Sequence, residues 1–304
     1  MNPLKGLTAC RGSCRIRDAE GAALNISLSE ARIELAKAQT KAMWPHFLSQ
    51  SVVAPENLYH STNAAGLQGI LRSRSLWASD CHFLNDRSEL VYGHNLVKDH
   101  LLSQSGPVVA ALVRGMPPTD EKAQIYVASF CEHGDLLSQW RGYSRVQDGY
   151  SMAFRFSSLL VSKNVFLTKV LYTPRDQEDN LSDLVRSITD LFQRIDLPED
   201  QALELIKLAV DVVWSLPFRL KDKSFEGEQE WRLVAGLGSG YTEEFRVVDG
   251  HFVPYIQIPF DAESLVEIRQ GPGAFRAANV DALRRLLAAK KFNSTRVERS
   301  PVPL

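Results

Sequence analysis

The stretch "EEFRVVDGHFVPYIQIPF" (residues 243–260) constrains the fold more than any other part of this sequence. Two runs rich in β-branched and aromatic residues flank Asp249-Gly250, a dipeptide typical of the two-residue turn of a β-hairpin. A hairpin joins antiparallel strands, so the sheet is expected to be antiparallel at least in part. A fold built only from repeated strand–helix–strand units is therefore disfavoured.

Other segments repeat the strand pattern, and the helical segments occur in blocks. Strands are predicted near residues 57–61, 75–79, 124–132, 149–156, 165–173, 229–235 and 264–271. Helical periodicity is predicted near residues 27–42, 65–71, 89–104, 108–113, 181–195, 198–214 and 280–290. Because strands outnumber what alternating units would give, the pattern predicts the α+β class.

Domain boundaries are predicted where the pattern of strands and helices changes along the sequence. Residues 1–51 are predicted to be a flexible leader plus an N-terminal helical extension, which begins at a Ser27–Glu30 capping box and stops at Pro45. Residues 52–304 are predicted to form one domain. The helix pair at about 180–216 is expected to be a helical insertion between strands.

Composition narrows the class of protein. The 304 residues are 44% hydrophobic with a formal net charge of −1, so nothing suggests disorder or a global positive field for nucleic acid. Four cysteines are too few for a disulfide scaffold, and no apolar run is long enough for a bilayer. The first residues lack the apolar core of a secretory signal. These features predict a cytoplasmic protein with no membrane partner.

Several common catalytic motifs are absent from the sequence. There is no phosphate-binding P-loop, no H-E-x-x-H, no G-x-S-x-G and no paired C-x-x-C. "GLGSG" (residues 236–240) resembles a dinucleotide-binding loop, but a strand pattern follows it instead of a helix. A hairpin loop is the better interpretation.

The first polar segment of interest is Tyr59-His60-Ser61-Thr62, at a predicted strand–helix junction. Ser, Thr and Asn accept hydrogen bonds from the first N–H groups of a helix, which explains Thr62 and Asn63 as capping residues. Capping does not explain His60. Its side chain is either a structural, hydrogen-bonded histidine or a ligand-binding group.

Two further segments place polar residues beyond strands. "HFLNDRSEL" carries Asn85, Asp86 and Glu89, for which a turn with a helix cap is the alternative to a site. "LLSQWRGYS" places Arg141 between Trp140 and Tyr143, an arrangement suited to a planar, anionic ligand such as a nucleotide. Its alternative is a surface loop held by one buried tryptophan.

The fourth segment is "FEGEQEWRL", where Glu228 and Glu230 are expected on the same side of a starting strand. Paired carboxylates raise one another's pKa and are typical of sites, although two solvated glutamates on an edge strand would look the same. Cys81-His82 and Cys131-x-His133 are a weaker candidate for zinc, because their spacing matches no common zinc module. No metal is therefore predicted.

The ordered motifs Y-H-x-T, F-L-N-D-x-x-E, S-F-C-E, Q-W-x-x-Y and E-x-E-W-R-L, over residues 57–235, resemble a widespread bacterial family of uncharacterised domains. That pattern is more distantly similar to the ADP-ribosyltransferase superfamily. The resemblance implies a split β-sandwich of short strands around a cleft. It also implies NAD as the substrate, and a toxin or defence effector as the cellular role.

The resemblance implies roles for particular residues. Glu230, His60 and Glu228 correspond to the catalytic positions, and Ser129, with Tyr143 as its rival, corresponds to the middle-strand hydroxyl. The full set expected to bind NAD is His60, Ser61, Thr62, Asn85, Ser129, Trp140, Arg141 and Tyr143.

Other functions remain open at the level of sequence. Water as the acceptor would make the protein an NAD glycohydrolase on the same site, and a non-enzymatic nucleotide-binding or sensor module is the main alternative. A metal-dependent nuclease is weaker, because no basic stripe is visible. It would use Asp80, Asp86, Glu89, Glu228 and Glu230. The acceptor (protein, nucleic acid or small molecule) and the oligomeric state are not predicted.

Overall fold

The computed structural model describes residues 26–43, 54–84, 87–116, 124–143, 149–159, 165–236, 240–272 and 276–302. It divides into two compact units. The helical unit takes its described residues from segments 1–52, 86–123 and 171–224, and the sheet unit takes its own from 53–85, 124–170 and 225–304. The N-terminal helix thus shares a unit with the inserted helix pair.

The described elements alternate between the two units along the chain. In order they are α1 (Leu28–Met43), β1 (Asn57–Asn63), α2 (Ala64–Ser73), β2 (Ser75–Asp80), α3 (Arg87–Ser103), α4 (Pro107–Gly115), β3 (Ile125–Cys131), α5 (Leu137–Tyr143), β4 (Gly149–Arg155), α6 (Phe156–Leu159), β5 (Val165–Lys169), α7 (Pro174–Arg194), α8 (Glu199–Trp214), β6 (Glu230–Gly236), β7 (Glu243–Val248), β8 (His251–Pro259), β9 (Leu265–Gln270), α9 (Arg276–Ala289) and β10 (Arg296–Arg299).

The strands form one ten-stranded mixed sheet with the main order β10-β9-β4-β1-β3-β2-β8-β7, while β6 pairs with β3 and β5. Among the described strands only β9 and β10 pair in parallel. The α+β prediction is confirmed. The strands are hydrogen-bonded into one network, whereas the resemblance implied a split β-sandwich.

The hairpin predicted at residues 243–260 is present. β7 and β8 pair from Glu243 opposite Ile256 to Val248 opposite His251. Asp249 has φ of 49° and Gly250 has φ of 82°, the two positive values that a type I′ turn needs. This turn suits the right-handed twist of the paired strands.

The helical unit has its own apolar core. Ser27 N donates to Glu30 Oε2 at 2.9 Å and Glu30 N donates to Ser27 Oγ at 3.3 Å, which confirms the capping box. Buried side chains of α1 then pack with those of α3, α4, α7 and α8; they include Ala31, Leu35, Ala42, Val97, Leu112, Leu184, Ile188, Leu205 and Val213. In the described parts of the chain, no helix is both long and apolar enough to cross a membrane.

Some predicted elements differ from the observed ones. The "LLSQWRGYS" segment forms α5 instead of a loop, and β10 was not anticipated. The "GLGSG" segment does not close a hairpin, because β6 pairs with β3 and β5 while β7 pairs with β8. Thr62 belongs to β1, and Asn63 caps α2 by accepting a bond from Gly66 N at 2.8 Å. Pro45 lies outside the described residues.

Candidate functional site

Strand β3 has two partners on one side, and they diverge along it. β1 meets β3 at Tyr59 opposite Cys131, whereas β2 meets it at Ser79 opposite Val127. Between these points, residues 128–130 of β3 are paired with neither strand, and α2 connects the strands across this gap. We call this gap the β3 split.

His60 supplies a hydrogen bond inside the β3 split. Its Nδ1 lies 2.9 Å from the carbonyl oxygen of Ser129, and its ring contacts Phe130 with centroids 5.6 Å apart. A carbonyl oxygen only accepts, so Nδ1 carries the hydrogen and donates. In the neutral ring Nε2 is then the acceptor. His60 thus provides a hydrogen-bond partner for a backbone carbonyl at a position where neither β1 nor β2 pairs with β3.

The surroundings of His60 favour the neutral form of its ring. Desolvation lowers the pKa of His60, the bond to Ser129 opposes that shift, and the positive charge of Arg246 lowers the pKa further. A neutral imidazole with an unprotonated Nε2 is suited to accept a hydroxyl hydrogen from a ligand.

The two faces of the sheet differ in chemistry. Residues directly opposite one another in antiparallel strands project from the same face, and neighbours along a strand project from opposite faces. The apolar face carries Leu58, Phe130, Phe154, Trp231 and Ile256. The other side, here called the polar face, carries Tyr59, Ser61, Trp77, Ser79, Ser129, Cys131, Thr168, Glu230, Arg232, Arg246 and Tyr255.

Glu230 and Arg232 form a buried ion pair on the polar face. Arg232 Nε donates to Glu230 Oε1 at 2.7 Å, and Arg232 Nη2 donates to Oε2 at 2.8 Å. Each residue is only 4% exposed. β6 lies between β3 and β5, so Glu230 is not a solvated residue of an edge strand. Two parallel bonds to a planar guanidinium fix the direction of the carboxylate.

Glu228 does not share that position. It ends a 3₁₀ turn over Lys223–Glu228, and Gln229 has φ of 44°, which breaks the strand geometry before Glu230. The prediction that both glutamates project from one strand is therefore wrong. Alternation begins at Glu230, where Trp231 projects from the apolar face and donates to Glu132 Oε1 at 2.9 Å.

The structure brings some predicted residues together and separates others. Ser61, Ser129 and Glu230 share the polar face. His60 and Thr62 project from the opposite face of β1, so pairing of His60 with Glu230 on one surface is not observed. Asn85 and the side chain of Tyr143 lie outside the described residues.

Trp140 is a core residue and not a stacking platform on the surface. It is 2% exposed, its Nε1 donates to Asp135 Oδ1 at 2.7 Å, and its ring packs against Gly271. A methyl group at Gly271 would lie 2.9 Å from Trp140 Cε3, so only glycine allows this approach. The neighbouring side chain of Arg141 is exposed.

Sequence reasoning missed Ser79 and Arg246. Arg246 Nη2 donates to Ser79 Oγ at 2.8 Å, and its Cζ lies 5.5 Å from the Trp77 ring centroid and 5.8 Å from that of Tyr255. The alternation in "EEFRVV" did contain the signal, because Arg246 and Glu244 share one side of the strand.

One cluster of possible metal ligands occurs among the described residues, at Asp80, Cys81 and His82. Asp80 Oδ1 accepts from His82 N at 2.8 Å and lies 2.9 Å from His82 Nδ1, as expected for the cap of a short 3₁₀ turn. Burial, followed by the charge of Asp80, raises the pKa of the Cys81 thiol to about 12. Local capping therefore explains the cluster.

Two of the five carboxylates of the nuclease alternative are bound to cations. Glu89 Oε1 lies 2.8 Å from Lys221 Nζ in the helical unit, and Glu230 is bound by Arg232 in the sheet unit. Asp86 lies outside the described residues. A metal would have to displace both cations, which argues against this function.

Comparison with known families gives one match. Residues 139–233 match the model of a family described as "Protein of unknown function (DUF2971)". The matched stretch includes Trp140, Glu230 and Arg232, while His60 and Arg246 lie outside it. None of the curated proteins and none of the solved structures is significantly similar to the chain.

The match agrees with the expected family of uncharacterised domains. It covers the later motifs, from Q-W-x-x-Y to E-x-E-W-R-L, and not the earlier Y-H-x-T. The link from this family to ADP-ribosyltransferases stays a prediction.

Proposed function

We propose that this protein is an NAD-dependent ADP-ribosyltransferase that cleaves the nicotinamide–ribose bond and transfers ADP-ribose to an acceptor. The observation that carries the proposal is the Glu230 carboxylate, which is buried and held in a fixed direction on the polar face, opposite Cys131. Cleavage of that bond builds positive charge on the ribose. A preorganised carboxylate stabilises this charge more strongly as it develops.

The ion pair with Arg232 is compatible with this role. The bidentate guanidinium fixes the direction of the carboxylate, and in this proposal a ribose hydroxyl is an additional donor to it. The divergence of β1 and β2 along β3 supports the ADP-ribosyltransferase-like split β-sandwich as part of the proposal. His60 Nε2 is the acceptor that a ligand hydroxyl would meet in the split.

The proposal specifies the acceptor of ADP-ribose only by its chemical class. Protein side chains, nucleic acid and small molecules are all compatible, and transfer to water would make the protein an NAD glycohydrolase on the same site. A role as a toxin or defence effector rests on the resemblance of the motifs.

A second candidate function is a nucleotide-binding or sensor module without catalysis. The observation that favours it is the opposite orientation of His60 and Glu230 on their strands. A site that only binds nucleotide has no need for both groups on one side of the reacting bond.

The experiment that separates these functions follows labelled NAD. We expect wild type to release nicotinamide and to place the label on an acceptor or in free ADP-ribose. Glu230→Gln should lower this release by about 10²-fold, the effect of losing one electrostatic stabiliser, while calorimetry still detects NAD binding. Glu263→Gln is the control for loss of an exposed carboxylate.

Because Glu230→Gln also breaks a buried ion pair, a second control is needed. Arg232→Met breaks the same pair but keeps the carboxylate. If release falls equally in both variants, the pair is structural and Glu230 is not catalytic. If folded wild type binds NAD without turning it over, the nucleotide-binding module is the correct function.

A further inference from the structure

Arg246 occupies an unusual environment for an arginine. Its guanidinium lies over Trp77 and Tyr255, whose ring centroids are 4.9 Å apart, on the polar face. Gly69 of α2 lets the Trp77 ring approach closely, because a methyl group there would lie 2.1 Å from Trp77 Cη2. The ring pair is thus a fixed support beneath the charge.

No carboxylate among the described residues forms an ion pair with Arg246. The obvious candidate, Glu244 on the same side of β7, bonds instead to the Tyr255 hydroxyl at 2.8 Å and to Gln257 Nε2 at 2.9 Å. The Nε atom of Arg246 is buried without a hydrogen-bond partner. An arginine in such a place is costly, since a desolvated charge needs a counterion.

Ser79 adds a donor at the same point. Its Oγ accepts the bond from Arg246 Nη2, so its hydroxyl hydrogen is left to donate. Unused N–H groups of the guanidinium and the Ser79 hydroxyl therefore converge from two strands. Tetrahedral oxyanions match such a set of donors well, and arginine binds them with two parallel bonds.

We propose that Arg246 and Ser79, supported by the Trp77–Tyr255 ring pair, form a binding site for the phosphate group of a nucleotide ligand on the polar face. The inference deepens the proposed function, because it names the residues that would take the pyrophosphate of NAD. It rests on that function only for the identity of the nucleotide. The anion site itself follows from the donors.

The test measures binding of inorganic pyrophosphate and of ADP-ribose by calorimetry. We expect Arg246→Gln to weaken both by about 10-fold or more, as charge-assisted hydrogen bonds imply, and Arg246→Lys to weaken them less. Ser79→Ala removes the hydroxyl donor together with the acceptor of the Arg246 bond, and should give a smaller loss in a fold that keeps Arg246. If Arg246→Gln does not fold, Ser79→Ala still tests the anion site.

Arg74→Gln is the matched control. Arg74 also lies over an aromatic ring, with Cζ 5.7 Å from the Phe292 centroid, but it donates to the carbonyl of Lys290. It should bind pyrophosphate like wild type. Equal binding by wild type and folded Arg246→Gln overturns the site, as does wild type that binds neither anion.

The outcomes separate this inference from the proposed function. Pyrophosphate binding that depends on Arg246, in a protein that does not turn over NAD, supports the anion site and rejects the transferase. NAD turnover with an unchanged KM in Arg246→Gln supports the transferase and rejects the anion site.

Discussion

Glu230 and Arg232 are two residues apart in β6, so both side chains leave the strand on the same face. The motif E-W-R-L thus contains both a buried ion pair and, between its members, a tryptophan on the opposite face. Removing one partner of such a pair commonly costs about 3–5 kcal/mol of stability. Activity changes at Glu230 must therefore be compared in variants shown to be folded.

Trp140 illustrates how a residue type can mislead. An aromatic residue beside an arginine suggests a nucleotide site, yet the Trp140 ring is buried against Gly271 and bonds to Asp135. We expect Trp140→Ala to lower the free energy of unfolding by about 3–5 kcal/mol, because a large core side chain is lost. Denaturant unfolding followed by circular dichroism would measure this loss.

Trp140→Phe separates packing from hydrogen bonding. It keeps most of the ring but removes the bond to the Asp135 carboxylate, which should cost about 1.5–3 kcal/mol. If Trp140→Phe has wild-type stability but no longer binds nucleotide, Trp140 is a ligand-binding residue and this assignment to the core is wrong.

At the scale of elements, the β7–β8 hairpin exposes apolar side chains to solvent and partly buries an arginine on its other side. Its apolar residues Phe245, Val247 and Phe252 are 60%, 66% and 72% exposed, while Arg246 on the other side is partly buried. The common rule that apolar residues face inward would therefore choose the wrong side of this hairpin as the buried one. Which side of an edge hairpin is covered depends on the elements that pack on it.

Helix α1 makes a testable contribution to the helical unit. Leu35 is 3% exposed in the core shared with α7 and α8, whereas Ile33 on the opposite side is 55% exposed. Leu35→Ala should lower the free energy of unfolding by about 2–5 kcal/mol, because it leaves a cavity. Ile33→Ala is the matched control, with a change within about 0.5 kcal/mol. Equal effects of the two variants in thermal unfolding would mean that α1 does not pack as described.

At the scale of the whole molecule, each unit is assembled from separate chain segments. The DUF2971 match at residues 139–233 covers α7 and α8 of the helical unit, and β4, β5 and the first residues of β6 in the sheet unit. The match therefore spans segments of both units.

Stability should depend on pH below neutrality. Burial lowers the pKa of His60 and of His94, and the charge of Lys98 lowers that of His94 further. The unfolded chain binds protons at these residues near pH 6.5, before the folded chain does, so the free energy of unfolding falls as pH drops below that value. The slope is at most about 1.4 kcal/mol per pH unit for each histidine.

Denaturant unfolding at pH values from about 7.5 to about 5, in steps of about 0.5 pH unit, would measure how the free energy of unfolding changes with pH. His60→Asn keeps a donor for the Ser129 carbonyl and should reduce the slope. A variant at exposed His251 controls for the loss of one histidine. A slope unchanged in His60→Asn would mean that His60 is not buried in its neutral form.

The sequence by itself determined most of the elements. Helical periodicity, the Ser27–Glu30 capping box and the Asp249-Gly250 turn depend on residues close together in the chain, and each is present in the structure. The α+β class followed from the number and order of these elements. Local patterns are predictable because their energies are decided within a few residues.

Only the tertiary structure decided which side chains meet. That Glu230 is bound by Arg232 between β3 and β5, that His60 faces away from it, and that Arg246 lies over Trp77 are consequences of strand order and register. A shift of one residue in register reverses every side chain of a strand. Pairing between distant strands is set by the summed packing of the whole sheet, which no short segment of the sequence contains.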